Sequence, residues 1–310
     1  MSVRPLDLLD LITLYNYRHQ VLPLDSARAL TRGNMLGLTS MLSYLNPRRE
    51  IATGISFNED AVVMGQVTHS DGLPHANLAF LTPEESSPQV QASLLDFLSV
   101  QAGEWGCLSL LAEVDECSPV FKALRLTGFS MYAWQRIWKL NDPAGPEPEI
   151  LWNETLDTDL ISIQSLYNLI VPAMLQPMEP LPRHATGLVC RQEGDIQAYL
   201  SLKYGPAGIW AQPLIHPDAA CLPEWLTSML ISIPNRRNRP VYICVRSYQA
   251  WLESMLEDLG ASAGERQAVM VRHLAVRKYA EEALPAKQVE PAWAKPATPV
   301  ARINNHTDAE

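Results

Sequence analysis

The sequence predicts an α+β protein built as two tandem copies of one domain, each a mixed, mostly antiparallel sheet flanked by helices. Three observations carry this. The stretch DLLDLITLYN (7–16) returns as DLISIQSLYN (159–168), with Asp, Leu, Leu, Tyr and Asn at matching places. Ala52-Thr53-Gly54-Ile55 returns as Ala185-Thr186-Gly187-Leu188, each time ahead of a polar turn and a second apolar run. Late in each copy a buried-looking strand leads into a helix that stops at glycine, ALRLTGF (123–129) and MLEDLGA (255–261). At 310 residues the chain is comfortable for two domains.

Each copy opens on an edge strand, Ser2 to Pro5 and Glu149 to Trp152. An amphipathic helix follows, with Leu8, Leu11, Ile12 and Tyr15 in the first copy and Leu160, Ile163 and Tyr167 in the second at helical spacing. A two-stranded hairpin comes next. Paired strands then end at proline, HANLAFLTP (75–83) and GIWAQPLIHP (208–217), and lead into helices that Leu98 and Leu230 close in register. LSLLAEV (108–114) and VYICV (241–245) are the buried strands ahead of the last helices. Glycine just past the final helical residue is the expected stop there. MYAWQRIWKL (131–140) and AVMVRHLAV (268–276) supply the last strands, the first with Tyr132, Trp134 and Trp138 on one face. The reading gives domains at 1–141 and 150–276, a Pro/Gly/acidic linker at 142–149 and a disordered tail at 277–310. The second copy is shorter because it drops most of Arg18 to Arg49.

Composition narrows the function classes. The chain is 47% hydrophobic and 19% charged, with mean hydropathy −0.06 and no uncharged apolar run long enough for a bilayer, so no membrane partner is expected. Aspartates interrupt the first apolar stretch, which argues against a secretory signal and for a cytoplasmic protein. Five scattered cysteines without a C-x-x-C pair suit free thiols and signal no metal site. A formal net charge of −10 disfavours a nucleic-acid partner. The basic run NRRNRP (235–240) reads as a solvated loop. No G-x-G fingerprint, P-loop or G-x-S-x-G is present.

The element order, with its glycine-stopped helix before the final strand, resembles the N-acetyltransferase (GNAT) superfamily in two tandem copies. The resemblance implies acetyl-CoA as cofactor, an amine acceptor, and two domains that pack on each other. The family holds acetyl-CoA on its fourth strand and on the loop that opens the next helix, where R/Q-x-x-G-x-G/A brings backbone N–H groups and a helix terminus to the pyrophosphate. Carried onto the first copy, the cofactor positions are Leu81 and Thr82 on the strand and Ser86, Ser87, Gln89 and Gln91 after it. Ser86, Gln89 and Gln91 stand at the three motif positions, with Glu84 and Glu85 adding negative charge. In the second copy those positions are Ala220, Pro223 and Trp225, after Ile215-His216-Pro217-Asp218. The loop is degenerate in both copies. A family tyrosine four residues before the helix-stop glycine, able to protonate the departing thiolate, is replaced by Leu124 and Leu256.

Among side chains that carry chemistry, Glu113 could deprotonate an amine, as could Asp115 or Glu116; their ordinary reading is as helix-capping acids at a strand end. His75 and His216, at opposite ends of their strands, are candidate bases or else satisfied polar groups. The stripe of Tyr132, Trp134 and Trp138 reads either as core or as an acceptor pocket. Two functions of different class follow. One is an acyl-CoA-dependent N-acyltransferase with weakened or lost activity. The other is a binding or assembly module that keeps the fold and uses the cleft where the family's fourth and fifth strands part.

Overall fold

The computed structural model describes residues 2–33, 36, 51–58, 61–70, 72–141, 151–181, 186–219 and 222–274, all within one compact unit, Met1–Val276. The proposed linker, the tail and most of 34–50 lie outside these residues.

The first copy contributes β1 (Ser2–Pro5), α1 (Leu11–Asn16), β2 (Leu22–Pro23), α2 (Ser26–Arg32), β3 (Ile51–Asn58), β4 (Ala61–His69), β5 (His75–Thr82), α3 (Pro88–Glu104), β6 (Ser109–Asp115), α4 (Pro119–Leu126) and β7 (Ser130–Leu140). From the second come β8 (Asn153–Glu154), α5 (Leu160–Ile170), β9 (Gly187–Gln192), β10 (Asp195–Tyr204), β11 (Ile209–Ile215), α6 (Leu222–Ser232), β12 (Val241–Arg246), α7 (Leu252–Asp258) and β13 (Ser262–His273). The two series match in order, apart from β2 and α2, which have no counterpart among the described residues of the second copy. Both stops fall where the glycines predict them: Gly128 (φ 84°) and Gly260 (φ 71°) take the left-handed conformation just past α4 and α7.

Among the described residues the strands make one thirteen-stranded sheet in the order β1-β3-β4-β5-β6-β13-β7-β12-β11-β10-β9-β8, with β2 added on β5. This order contains an exchange. β13, made last by the second copy, pairs antiparallel with β6 of the first, and β7 of the first pairs with β12 of the second. The two exchanged strands also pair with each other. At their crossing Gln135 and Gln267 stand opposite, and the Gln135 amide donates to Gln267 Oε1 at 2.7 Å. Each half of the sheet therefore shows the same strand order, completed by the other copy's last strand.

Helices cover both faces. α3 and α4 pack Leu94, Leu95, Leu98 and Leu124 on one face of the first lobe, while α6 and α7 do the same for the second with Trp225, Met229, Leu252 and Leu256. α1 sets Leu14 against Phe80 and Ile55 on the first lobe's other face. Its counterpart α5 sets Ile163, Leu166 and Tyr167 against Tyr199.

Several expectations are corrected. The second edge strand forms at Asn153–Glu154 and does not include Leu151 and Trp152, because Trp152 is drawn into the core, its indole donating to the Trp225 carbonyl; the expected start at Glu149 lies outside the described residues. α3 and α6 run past Leu98 and Leu230, to Glu104 and Ser232, and the buried face of α3 continues through Ala102. The last strand, Ser262–His273, begins six residues before the expected start at Ala268 because β7 offers ladder partners from Ser262 onward; the expected end at 276 lies outside the described residues. NRRNRP is a structured turn: Asn235, Arg237 and Asn238 take positive φ, and Arg239 donates to the Gly205 carbonyl while lying over Tyr204. Finally, the aromatic stripe does not share one face. A register shift between Val269 and Met270 leaves Tyr132 as a bulge on β7, and Tyr132 packs in a different cluster from Trp134 and Trp138.

Candidate functional site

In each half, two parallel strands pair briefly and then part. β5 and β6 are bonded only at His75–Asn77 with Ser109–Leu111, and β11 and β12 only at Ile209–Ala211 with Val241–Ile243. Beyond those residues one edge of each strand loses its partner, and a strand edge left open inside a protein must be satisfied by something else.

In the first half that partner is the chain's own Tyr17–Asp25. The Thr82 hydroxyl donates to the carbonyls of Tyr17 and Gln20. β2 pairs Leu22 with Leu81 and Pro23 with Phe80. Leu24 N–H then donates to the Ala79 carbonyl at 3.0 Å, and its own carbonyl accepts from Glu113 N–H at 2.9 Å, bridging the parted strands. Ala79 is itself a bulge residue, left over where the β4–β5 register shifts. The local sequence explains the path. Leu24, 1% exposed, anchors it in the core. Pro23 lacks an N–H and suits the exposed turn of so short a strand, and the Asp25 side chain accepts from Arg28 N–H to start α2. α2 then lies on the other lobe, so close that a Cβ at Gly205 would stand 2.1 Å from the Thr31 carbonyl.

The loop after β5 is knit onto itself. Fully buried Gln91 donates to the Glu84 carbonyl, the Glu84 carboxylate accepts from the Ser118 hydroxyl, and Ser87 Oγ donates to Gln89 Oε1. The Ser87 carbonyl accepts from the N–H groups of Val90 and Gln91. Ser86 Oγ is buried without a hydrogen-bond partner. In the second half the open edge is met by one side chain. Gln249, 2% exposed, accepts from Ile215 N–H at 3.0 Å and donates to the Pro213 carbonyl at 2.8 Å. His216 accepts from Asp218 N–H and stays away from other candidate residues. Trp225, Leu124 and Leu256 are core residues. Ala220 lies outside the described residues.

These residues do not fit acetyl-CoA. The edge the cofactor's amides would need is bonded to Leu22–Leu24 in one half and to Gln249 in the other. Among the described residues there is no group of histidine, cysteine and carboxylate side chains able to hold a metal.

Between the lobes lies a cavity of about 340 Å³. Here Glu113 and His75, both legible as candidates, come together with groups that were not. Arg246 ends β12 and is buried; its Nε stands 3.1 Å from Glu179 Oε1 and its Nη2 3.7 Å from Glu113 Oε1, and Nη1 donates to Gln135. Tyr248 donates to Glu179 Oε2 at 2.7 Å, and Glu113 Oε2 accepts from Ser26 N–H at 2.9 Å. Glu113 thus caps a helix start, as acids at strand ends do, but that of α2. Burial, aided by the neighbouring carboxylates, pushes the Tyr132 and Tyr248 hydroxyls far above their ordinary range, so both remain neutral donors. The His75 imidazole is pushed down to about 4, by burial first and then by Lys203 and His69. Burial and the charge of Glu113 push the Asp25 carboxyl up. One signal for Arg246 did exist, a charged residue ending the buried run VYICVR. Glu179, between prolines in the connection after α5, left none.

No family model and no curated relative matches this sequence. Solved structures do. A GCN5-related N-acetyltransferase from Sphaerobacter thermophilus matches with TM-score 0.55 at 10% identity, over 88% of this chain and 95% of its own. A tandem GNAT protein from the clavulanic acid biosynthesis pathway matches with TM-score 0.50 at 14% identity, over 88% and 98%. A protein of unknown function from Staphylococcus epidermidis matches with TM-score 0.51 at 8% identity, over 71% and 94%. The chain has the fold of the GNAT N-acetyltransferases in two tandem copies. At such identities the likeness concerns the fold.

Proposed function

We propose that this chain is a GNAT-fold binding protein that works without acetyl-CoA, with the cavity between its lobes as the working site. The observation that carries the reading is the Leu22–Leu24 segment, hydrogen-bonded into the cleft between β5 and β6 where the family places its cofactor. Degenerate loops in both copies support it, and so does the Gln249 amide in the second cleft. Residues 1–141 and 150–276 are taken as the units of duplication. No helix among the described residues is long and apolar enough to cross a membrane.

Acetyl transfer to an amine is the second reading. In its favour, Glu113 and His75 share the cavity; against it, the Tyr17–Asp25 segment must leave before CoA can enter. A thermal shift with about 1 mM acetyl-CoA separates the two. A site with a dissociation constant near 10 μM gains about 2.7 kcal/mol at that excess, roughly 5 °C or more for a chain of this size. The binding-protein reading expects a shift under about 1 °C. A shift of several degrees, with acetylation of an added amine, establishes the enzyme instead.

A further inference from the structure

We propose that the cavity between the lobes binds a small uncharged polyhydroxylated molecule, the size of a sugar alcohol or a monosaccharide, held by one carboxamide from each copy. The inference rests on the reading of this cavity as the ligand site and adds the chemistry of its occupant.

The lining is balanced in charge. Arg246 and Lys203 are its cations, and Glu113, Glu179 and Asp25 its acids. Arg246 stands between the two glutamates, 3.1 Å from Glu179 and 3.7 Å from Glu113. Lys203 acts on both His75 and Asp25, so its charge belongs to the same space. Burial first, and then Glu113, push the Asp25 carboxyl up, which favours its uncharged form. His75, pushed down to about 4, is neutral near pH 7. Two cations therefore face two glutamates. An entering ion of either sign gives up its hydration for a space that holds no opposite charge in excess, whereas a neutral molecule leaves the balance as it is.

Hydrogen bonding narrows the neutral molecule. Asn77, where the β5–β6 pairing ends, and Gln212, on β11 of the other copy, both line the cavity and are half-buried. Among the described residues neither carboxamide has a hydrogen-bond partner. Ser201 stands directly across the ladder from Gln212 and adds a hydroxyl to that wall. An apolar occupant that displaced water would leave both amides desolvated and unpaired. A carboxamide sets a donor and an acceptor side by side. Neighbouring hydroxyls, each able to donate and to accept, meet both ends of it at once. The volume of about 340 Å³ falls toward the lower end of small-molecule sites, which suits a molecule of this size.

The test is titration calorimetry on the full chain at pH 7.5. D-Glucitol, D-glucose and myo-inositol are the neutral polyols. Three controls keep the carbon chain of glucitol: 1-amino-1-deoxy-D-glucitol (cationic), D-gluconate (anionic) and hexan-1-ol (a single hydroxyl). At least one polyol is expected to bind, at least tenfold tighter than any control. Gln212→Met and Asn77→Leu each remove one carboxamide at nearly constant size, and each is expected to weaken that polyol at least tenfold. The unliganded melting temperature should stay within about 2 °C; if Asn77→Leu, on a paired strand, melts lower, Gln212→Met decides alone. No binding of any of the three polyols, a control bound as tightly as the best of them, or full affinity in Gln212→Met each overturns the proposal. The acetyl-CoA shift is read separately. A large shift with the polyol still bound removes the CoA-free reading and keeps the polyol site; no shift and no polyol binding does the reverse.

Discussion

His75 shows how much one buried ring can set. Its pKa in the folded protein lies near 4 against an ordinary 6.5, so the unfolded chain takes up the proton first as the pH falls. Its contribution is complete above about pH 6.5 and is lost on the way down to about 4. The full difference is about 3 kcal/mol at roughly 1.36 kcal/mol per unit. Urea midpoints measured from pH 7 to 4 should fall through that window, and His75→Gln, which cannot titrate, should flatten that part of the curve. An unchanged slope in the variant would show that other groups cause the loss. At this scale the sequence was half legible. Glu113 and His75 stood out as chemistry-bearing side chains, but their meeting with Arg246, Glu179 and Tyr248 depends on strands far apart in the chain, and no local spacing encodes that.

Elements were read best where a physical stop marks them. Gly128 and Gly260 end their helices by a conformation other residues avoid, and the polar turns between paired apolar runs mark the hairpins β3–β4 and β9–β10. β2 was invisible because a two-residue strand has no period. The Tyr132 bulge was invisible too, since the extra residue exists only relative to β13. Yet the short segment is firmly built in. Leu24→Ala removes a side chain packed among Val63, Leu78 and Leu81 in the first lobe's core, and should cost about 2–5 kcal/mol by urea denaturation. A strap merely resting on the surface would change stability by no more than about 0.5 kcal/mol. That smaller value would mean the cleft is open to exchange, and the case against cofactor binding would weaken with it.

The molecule as a whole is joined more deeply than two domains on a linker. β13 bonds to β6, β7 bonds to β12, and both meet at Gln135 and Gln267, so neither sheet half is complete without the other copy. Calorimetry should therefore give one transition whose van't Hoff and calorimetric enthalpies agree. Leu94→Ala, deep in the first lobe, should lower the midpoint reported by far-UV signal and by the second lobe's Trp210 and Trp225 alike. Two separable transitions, with the tryptophans unmoved, would mean the lobes melt independently. The duplication was plain in the sequence while the exchange was not, because the ladder that Ser130–Leu140 joins is chosen by geometry and not by its own pattern of residues. The exchange also ties folding to the direction of synthesis. The first copy's β6 leaves the ribosome early, but the strand that closes its edge ends at His273. At about 5–20 residues per second the wait is on the order of ten seconds. Throughout that interval the nascent first lobe presents a bare edge, open to a chaperone or to a neighbouring nascent chain, and β13, translated long after β6, is the strand that seals the half made first.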